Sequence, residues 1–414
     1  MLSRLENWLL FLTIFLIPTQ LGKHFWPQFS FIYSLPVDYL SPTVYLWDIL
    51  ALFLFIIFLL QKKHINQGAI NLFYFFILTQ SLSLIFSQNI GVGLVRLEQY
   101  TAAGLFGVYM ASVNFNEVKQ LIFRALGLSV IMESVIAILQ FSYGKTLGLW
   151  ILGERSFSIS TPGIAKFDFF WYQFLRPYGT FPHPNVLAGF MLTAPVILNL
   201  IQDPYRPRIN AQRAGVQYGV TILAMIVTLL TVSRVAIIAG FIQSLILISK
   251  KWRKFLLYGV LIISPILLTR FSALLYYDSL PFIIREDLLQ TSSKIFSHSP
   301  IFGVGLNNFI PISAEGIVAG PSRFLQPVHN IFLLALSETG IVGLVGLLVT
   351  FGYPILKLRT KNYELKTMLI IWGTILFLGL FDHYFLTLPQ GYRLLFLIWG
   401  ISFSMLEFKN GKSS

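Results

Sequence analysis

Thr231-Val232-Ser233-Arg234-Val235-Ala236 sits in the middle of an otherwise apolar run over residues 214–249, and basic clusters flank both ends of that run. As one helix the run would be about 50 Å long at 1.5 Å per residue, against a hydrocarbon core of about 30 Å. Two short spans joined by a tight hairpin fit the same residues, with Arg234 at the tip. That placement also removes the several kcal/mol that an arginine at a bilayer centre costs. The hairpin sets the parity of every span on either side of it.

Working outward, hydropathy predicts spans at 7–23, 42–60, 68–87, 92–113, 118–141, 180–201, 215–232, 235–249, 255–271, 329–356, 367–387 and 390–408, about twelve crossings. Composition agrees, with 56% hydrophobic, 16% aromatic and only 11% charged residues, where soluble domains carry about 25% charged. An all-α polytopic membrane protein is expected, forming a single integral membrane domain over 1–414. The basic clusters are Lys62-Lys63; Arg206, Arg208 and Arg213; Lys250-Lys251-Trp252-Arg253-Lys254; Lys357, Arg359, Lys361 and Lys366; and Lys409 with Lys412. All fall on one side of this topology, which predicts that side, and both termini, to be cytoplasmic. The formal charge of +13 then reflects loops facing anionic lipid rather than nucleic acid. Arg4 precedes an apolar run with no small-residue cleavage signature, so the first span is expected to be retained. The chain has no cysteine, which removes disulfides and thiolate metal sites.

Two outer loops are long, 142–179 and 271–328, and loops of that length are usually functional. Within the second, residues 279–297 are expected to form a short amphipathic helix on the membrane, with Leu288, Leu289, Ile295 and Phe296 turned down. The outer-face polar groups are Arg176, His183, Asn185, Arg234, Arg285, His298, Arg323, His329 and Asn330, joined by Asp382 and His383. Arginine presents a planar fork that matches phosphate oxygens, so arginines from separate loops suit a diphosphate clamp. A histidine at the mouth of a span titrates near neutral pH and suits proton abstraction from a hydroxyl. Each residue also has a plainer reading: Arg176 and Arg323 as interfacial anchors, Arg285 as part of a solvated run with Glu286-Asp287, His183 as part of a turn, His329 as a helix cap. Gly144-Lys145-Thr146 lacks the glycine that a phosphate loop needs at Leu139, and no Asp-x-Asp, His-Glu-x-x-His or Gly-x-Ser-x-Gly occurs. No metal or cofactor is expected.

Four patterns occur in order: Arg176-Pro177-Tyr178-Gly179-Thr180-Phe181-Pro182-His183-Pro184-Asn185; Ser233-Arg234; Pro300-Ile301-Phe302-Gly303-Val304-Gly305; and Val328-His329-Asn330 followed by Glu338-Thr339-Gly340. Over about 176–340 they resemble the O-antigen ligase and O-antigen polymerase superfamily of bacterial membrane glycosyltransferases. The resemblance implies a donor glycan on undecaprenyl diphosphate at the outer, periplasm-facing side of the bacterial cytoplasmic (inner) membrane. It also implies transfer without nucleotide or metal to an acceptor hydroxyl on a lipid core, surface polymer or protein. It assigns His329 as general base and Arg234 and Arg285 as diphosphate-binding residues, with Arg176 as a third. Asn330, His183, Asn185 and Asp382 take supporting roles. A polymerase joining lipid-linked repeats uses the same donor and chemistry. A lipid-linked oligosaccharide transporter is the reading from another class, and it would place charges near the bilayer midplane on broken helices.

Overall fold

A computed structural model of the chain describes residues 3–169, 171–200, 211–247, 280–316, 325–358 and 363–407. The expected span at 255–271 and Arg323 lie outside the described residues. Helices α1 (Arg4–Phe15), α2 (Leu46–Leu60), α3 (Gln67–Leu82), α4 (Ile90–Ser112) and α5 (Phe115–Tyr143) come first. Then follow α6 (Pro184–Asn199), α7 (Ala211–Leu230), α8 (Arg234–Leu247), α9 (Leu280–His298) and α10 (Phe309–Gly316). The last are α11 (Ile331–Lys357), α12 (Tyr363–Gly379), α13 (Tyr384–Thr387) and α14 (Pro389–Glu407). By length and composition Gln67–Phe86, Phe115–Tyr143 and Ile331–Lys357 are able to cross a membrane; Leu46–Leu60, Pro184–Leu198, Gly215–Leu230 and Arg234–Leu247 are shorter apolar helices.

The expected hairpin is present. α7 ends at Leu230, α8 begins at Arg234, and the turn between them holds Val232 at φ 50°, a value rare for a β-branched residue. The expected first span is shorter than 7–23, because the chain leaves α1 and enters strand β1 (Gly22–His24), which pairs antiparallel with β4 (Thr43–Tyr45). Between them β2 (Phe31–Ile32) pairs with β3 (Leu35–Pro36), so residues 22–45 form a small folded cap. The 142–179 loop is also folded: β5 (Lys166–Phe169) and β6 (Tyr172–Leu175) form a hairpin whose Phe167 and Phe174 stack on Phe141 of α5. The expected surface helix appears as α9, but it packs on α11 and buries Leu288 and Ile295 while Leu289 stays 44% exposed.

α14 is the central post, with every residue from Pro389 to Met405 buried and α4 packed along it. Its Arg393 is fully buried, and its guanidinium lies 4.7 Å from the ring centroids of both Tyr45 and Trp47 and 3.6 Å from Asp48. One end of the bundle carries Lys63 bonded to Glu6 at 2.7 Å, and Asn66 bonded to Glu407. The opposite end carries the start of α6, the α7–α8 turn, and the chain around His329 and Asp382.

Helix α11 is broken at Gly340, which has φ 63° and ψ −165°. In an unbroken helix the N–H groups of Ile341 and Val342 would bond to Ser337 and Glu338. Here those two carbonyls accept the N–H groups of Val304 and Gly305 at 3.0 and 2.8 Å, while Ile341 and Val342 donate to Pro300 and Ile301 at 2.9 and 3.1 Å. A side chain on Gly303 would enter the backbone of Glu338 and Thr339, and one on Gly340 would enter that of Ile301 and Phe302. The Pro300–Gly305 and Glu338–Gly340 motifs are therefore the two halves of one splice, which fixes the upper segment of α11 and with it His329.

Candidate active site

His329 precedes α11, and its neighbour Asn330 is the helix N-cap: the Asn330 Oδ1 accepts the N–H groups of Phe332 and Leu333 at 2.9 and 3.0 Å. The Asn330 amide also donates to the Leu380 carbonyl at 3.1 Å, tying this corner to the end of α12. Asn330 thus holds the histidine by capping. His329 is 20% exposed, and its Nδ1 lies 3.6 Å from Asp382 Oδ1. Asp382, in the α12–α13 connection, accepts the His383 N–H at 2.8 Å and the Asn185 side-chain amide at 3.1 Å. The Asn185 Oδ1 accepts from Arg176 at 2.9 Å, and Arg176 Nε donates to the Thr231 carbonyl at 2.5 Å. One chain of contacts therefore runs from the α7–α8 turn through Arg176, Asn185 and Asp382 to His329.

The loop that presents Arg176 and His183 is clamped by α5. Glu133 accepts from the Thr180 N–H and hydroxyl at 2.9 and 2.6 Å, and Gln140 Oε1 accepts the N–H groups of Tyr178 and Gly179 at 2.9 and 2.8 Å. His183 caps α6, its Nδ1 accepting the Asn185 N–H at 3.1 Å, which puts the ring proton on Nε2. Burial, with the Arg176 charge, pushes its pKa down to about 3. Burial likewise takes His383 down to about 3, and its Nδ1 sits 2.6 Å from the Thr387 hydroxyl. Burial alone would raise the Asp382 carboxyl, but the neighbouring His329 ring, with those of His383 and His183, outweighs that and holds it below the usual carboxylate range. An anionic Asp382 flanked by two neutral histidines is the electrostatic result.

These groups line a cavity of about 200 Å³, whose walls also include Gln20, Asp38, Tyr39, Arg96 and Arg155. Arg96 is buried and donates to Gln99, to the Thr387 carbonyl at 2.7 Å and to Asn307 at 3.2 Å. It was missed by sequence reasoning, although a lone arginine in an apolar helix is the same signal that singled out Arg234. Arg285 of α9 lies near enough to His183 to bear on its charge. Arg234 starts α8, three residues past the Thr231 carbonyl that Arg176 holds. His298 points away, bonded to the Lys294 carbonyl on its own helix and exposed.

One ligand atom each from His329, Asp382 and His383 lies within 4.8 Å of the others, a spacing that would admit a metal ion. Both Asp382 oxygens and His383 Nδ1 already have partners in the hydrogen-bond network, and the same three groups also form a carboxylate-oriented imidazole.

Residues 219–348 match the family model for O-antigen ligase. The match begins in α7 and ends within α11, so it takes in the α7–α8 turn, Arg285, the splice and His329, and it supports membership of the O-antigen ligase and polymerase superfamily. No curated protein matches the chain. Together with the apolar helices, the match supports an integral membrane protein of glycosyltransferase-like type.

Proposed function

We propose that the protein transfers a glycan from undecaprenyl diphosphate to an acceptor hydroxyl, at the outer face of a bacterial cytoplasmic membrane that it crosses about twelve times. The observation that carries this is the Asp382–His329 pair at the wall of a polar cavity, 3.6 Å between Oδ1 and Nδ1. Hydrogen bonds of catalytic pairs are commonly long before substrate binds and tighten with it. Asp382 orients the ring and stabilises the imidazolium, leaving Nε2 for the acceptor. The acceptor hydroxyl gives its proton to His329 as its oxygen bonds to the donor's anomeric carbon. The bond from that carbon to the diphosphate oxygen breaks, and its electron pair leaves with the diphosphate. Arg234, Arg285 and Arg176 meet the charge that develops there. His329 then releases its proton to solvent.

The test is transfer in reconstituted vesicles with an undecaprenyl diphosphate-linked donor. His329→Ala should abolish transfer with donor still bound, and Arg234→Ala and Arg285→Ala should each raise the donor KM roughly tenfold, the loss of one charge-assisted contact. Normal transfer by all three folded variants would refute the reading and make lipid-linked glycan transport the next activity to assay.

A further inference from the structure

The charges around the cavity divide into two regions, and only one of them suits a diphosphate. Arg176, Arg234 and Arg285 do not line the cavity itself. Among the described residues its walls carry two arginines, Arg96 and Arg155, and two carboxylates, Asp38 and Asp382. Burial lowers the pKa of His24, in the cap, as it does those of His183 and His383. The two arginines are matched by the two carboxylates, so these walls offer a diphosphate no excess of fixed positive charge. Its walls mix polar and apolar surface about equally, with Tyr39, Tyr45, Pro182, Val186, Leu388 and Pro389 set among carboxylate, amide and guanidinium groups, a mixture that suits a sugar better than an acyl chain.

On the cavity wall, Arg155 of the 142–179 loop meets Asp38 of the 22–45 cap at 2.8 Å, both half-exposed. Exposed ion pairs of this kind contribute little to stability, so ligand hydroxyls can replace the partner of either group. A carboxylate and a guanidinium side by side offer paired acceptors and paired donors, the arrangement that vicinal hydroxyls satisfy. Next in sequence, Tyr39 sets its ring edge-on to His383 at 5.7 Å, and His383 lies 5.1 Å from His329. Asp38, Arg155 and His329 line the same cavity, so a ligand held at the ion pair shares its space with the base. About 200 Å³ is the liquid volume of about seven waters, room for one sugar ring.

We propose that this cavity is the acceptor subsite, that it takes an uncharged sugar, and that Asp38 and Arg155 determine its specificity. The proposal rests on the transferase reading above. It also locates acceptor recognition outside residues 219–348, the segment that matches the family.

The test does not require turnover. Purified full-length protein in bicelles would be titrated, by saturation-transfer NMR, with neutral methyl hexosides and N-acetylhexosaminides at millimolar concentration, alongside a methyl uronide and a serine/threonine peptide. At least one neutral glycoside should bind, and Asp38→Asn and Arg155→Gln should each weaken it tenfold or more. The double exchange Asp38→Arg with Arg155→Asp restores the ion pair with reversed polarity. It should keep wild-type thermal stability and still bind the sugar weakly. Full binding by the exchanged protein would show a strut between loops and overturn the proposal. So would tighter binding of the uronide or the peptide, or no binding by any neutral glycoside. Failure of the transferase reading itself is seen separately, as transfer that survives His329→Ala.

Discussion

Exchanging Asp382 for asparagine keeps the side chain's size and one acceptor oxygen but removes the charge facing His329. The carboxylate accepts from His383 N–H and Asn185 at 2.8 and 3.1 Å and lies 3.6 Å from His329 Nδ1. An asparagine at 382 cannot satisfy all three: with its oxygen toward His383 and His329 its amide group faces the Asn185 amide, and turned the other way that group faces the His329 ring. Where a buried carboxylate holds the imidazole tautomer directly, its amide replacement costs about 10⁴ in kcat. Here the contact is longer and the neighbouring donors steady the residue, so we expect a loss of about 10²–10³, roughly 3–4 kcal/mol of transition-state stabilisation. The assay is steady-state release of undecaprenyl diphosphate with acceptor present. The donor KM should change less than threefold, because Asp382 does not meet the diphosphate. A kcat within threefold of wild type would refute the pairing of Asp382 with His329.

Gly340→Ala forces a residue with a side chain to φ 63° and ψ −165° and places a methyl group in the backbone of Ile301 and Phe302. A loss of more than about 3 kcal/mol is expected, read as a collapse in folded yield; near-normal yield would contradict the splice. Titration gives a second prediction. The folded pKa of His383, about 3, lies below its unfolded 6.5, so the unfolded chain takes up the proton first as pH falls. Stability from this group is complete above about pH 6.5 and lost between there and pH 3, at about 1.4 kcal/mol per pH unit. Thermal scans from pH 7.5 to 5 should fall more steeply for wild type than for His383→Gln, and equal slopes would count against it. Transfer should also be inhibited by micromolar zinc and restored by chelator, since His329, Asp382 and His383 bring donor atoms within 4.8 Å. The zinc concentration for half-inhibition should rise at least tenfold in His383→Gln.

The α7–α8 hairpin was legible because a 50 Å helix and a mid-bilayer arginine are both physically unfavourable, and both arguments need only local sequence. The histidine at the head of α11 was legible for the same reason: it sits where polar chain meets an apolar run. What joins Arg176, Asn185, Asp382 and His329 was not, since those contacts cross up to 197 positions of chain, as between Asn185 and Asp382. Hydropathy also reads strand and loop alike as polar interruption, which hid the 22–45 cap and the β5–β6 hairpin, and with them Asp38 and Arg155. Arg96 was hidden by a different cause. Its span is apolar enough on average to absorb both Arg96 and Glu98, and the partners of Arg96 are neutral oxygens with no signature in sequence.

The break at Gly340 has a consequence for how the membrane protein is made. The four backbone groups that α11 leaves open are closed by Pro300–Gly305, which leaves the ribosome first. When the span follows, its partner is already waiting, and docking is a matter of return rather than of search. An excised peptide covering α11 has no such partner. In lipid its open carbonyls and N–H groups would close on one another, since unpaired backbone there costs several kcal/mol each. The peptide would heal into a straight rod, and its first turns would lose the direction that, in the whole chain, sets His329 beside Asp382. Measurements on the isolated span would then describe a helix that the whole chain never contains.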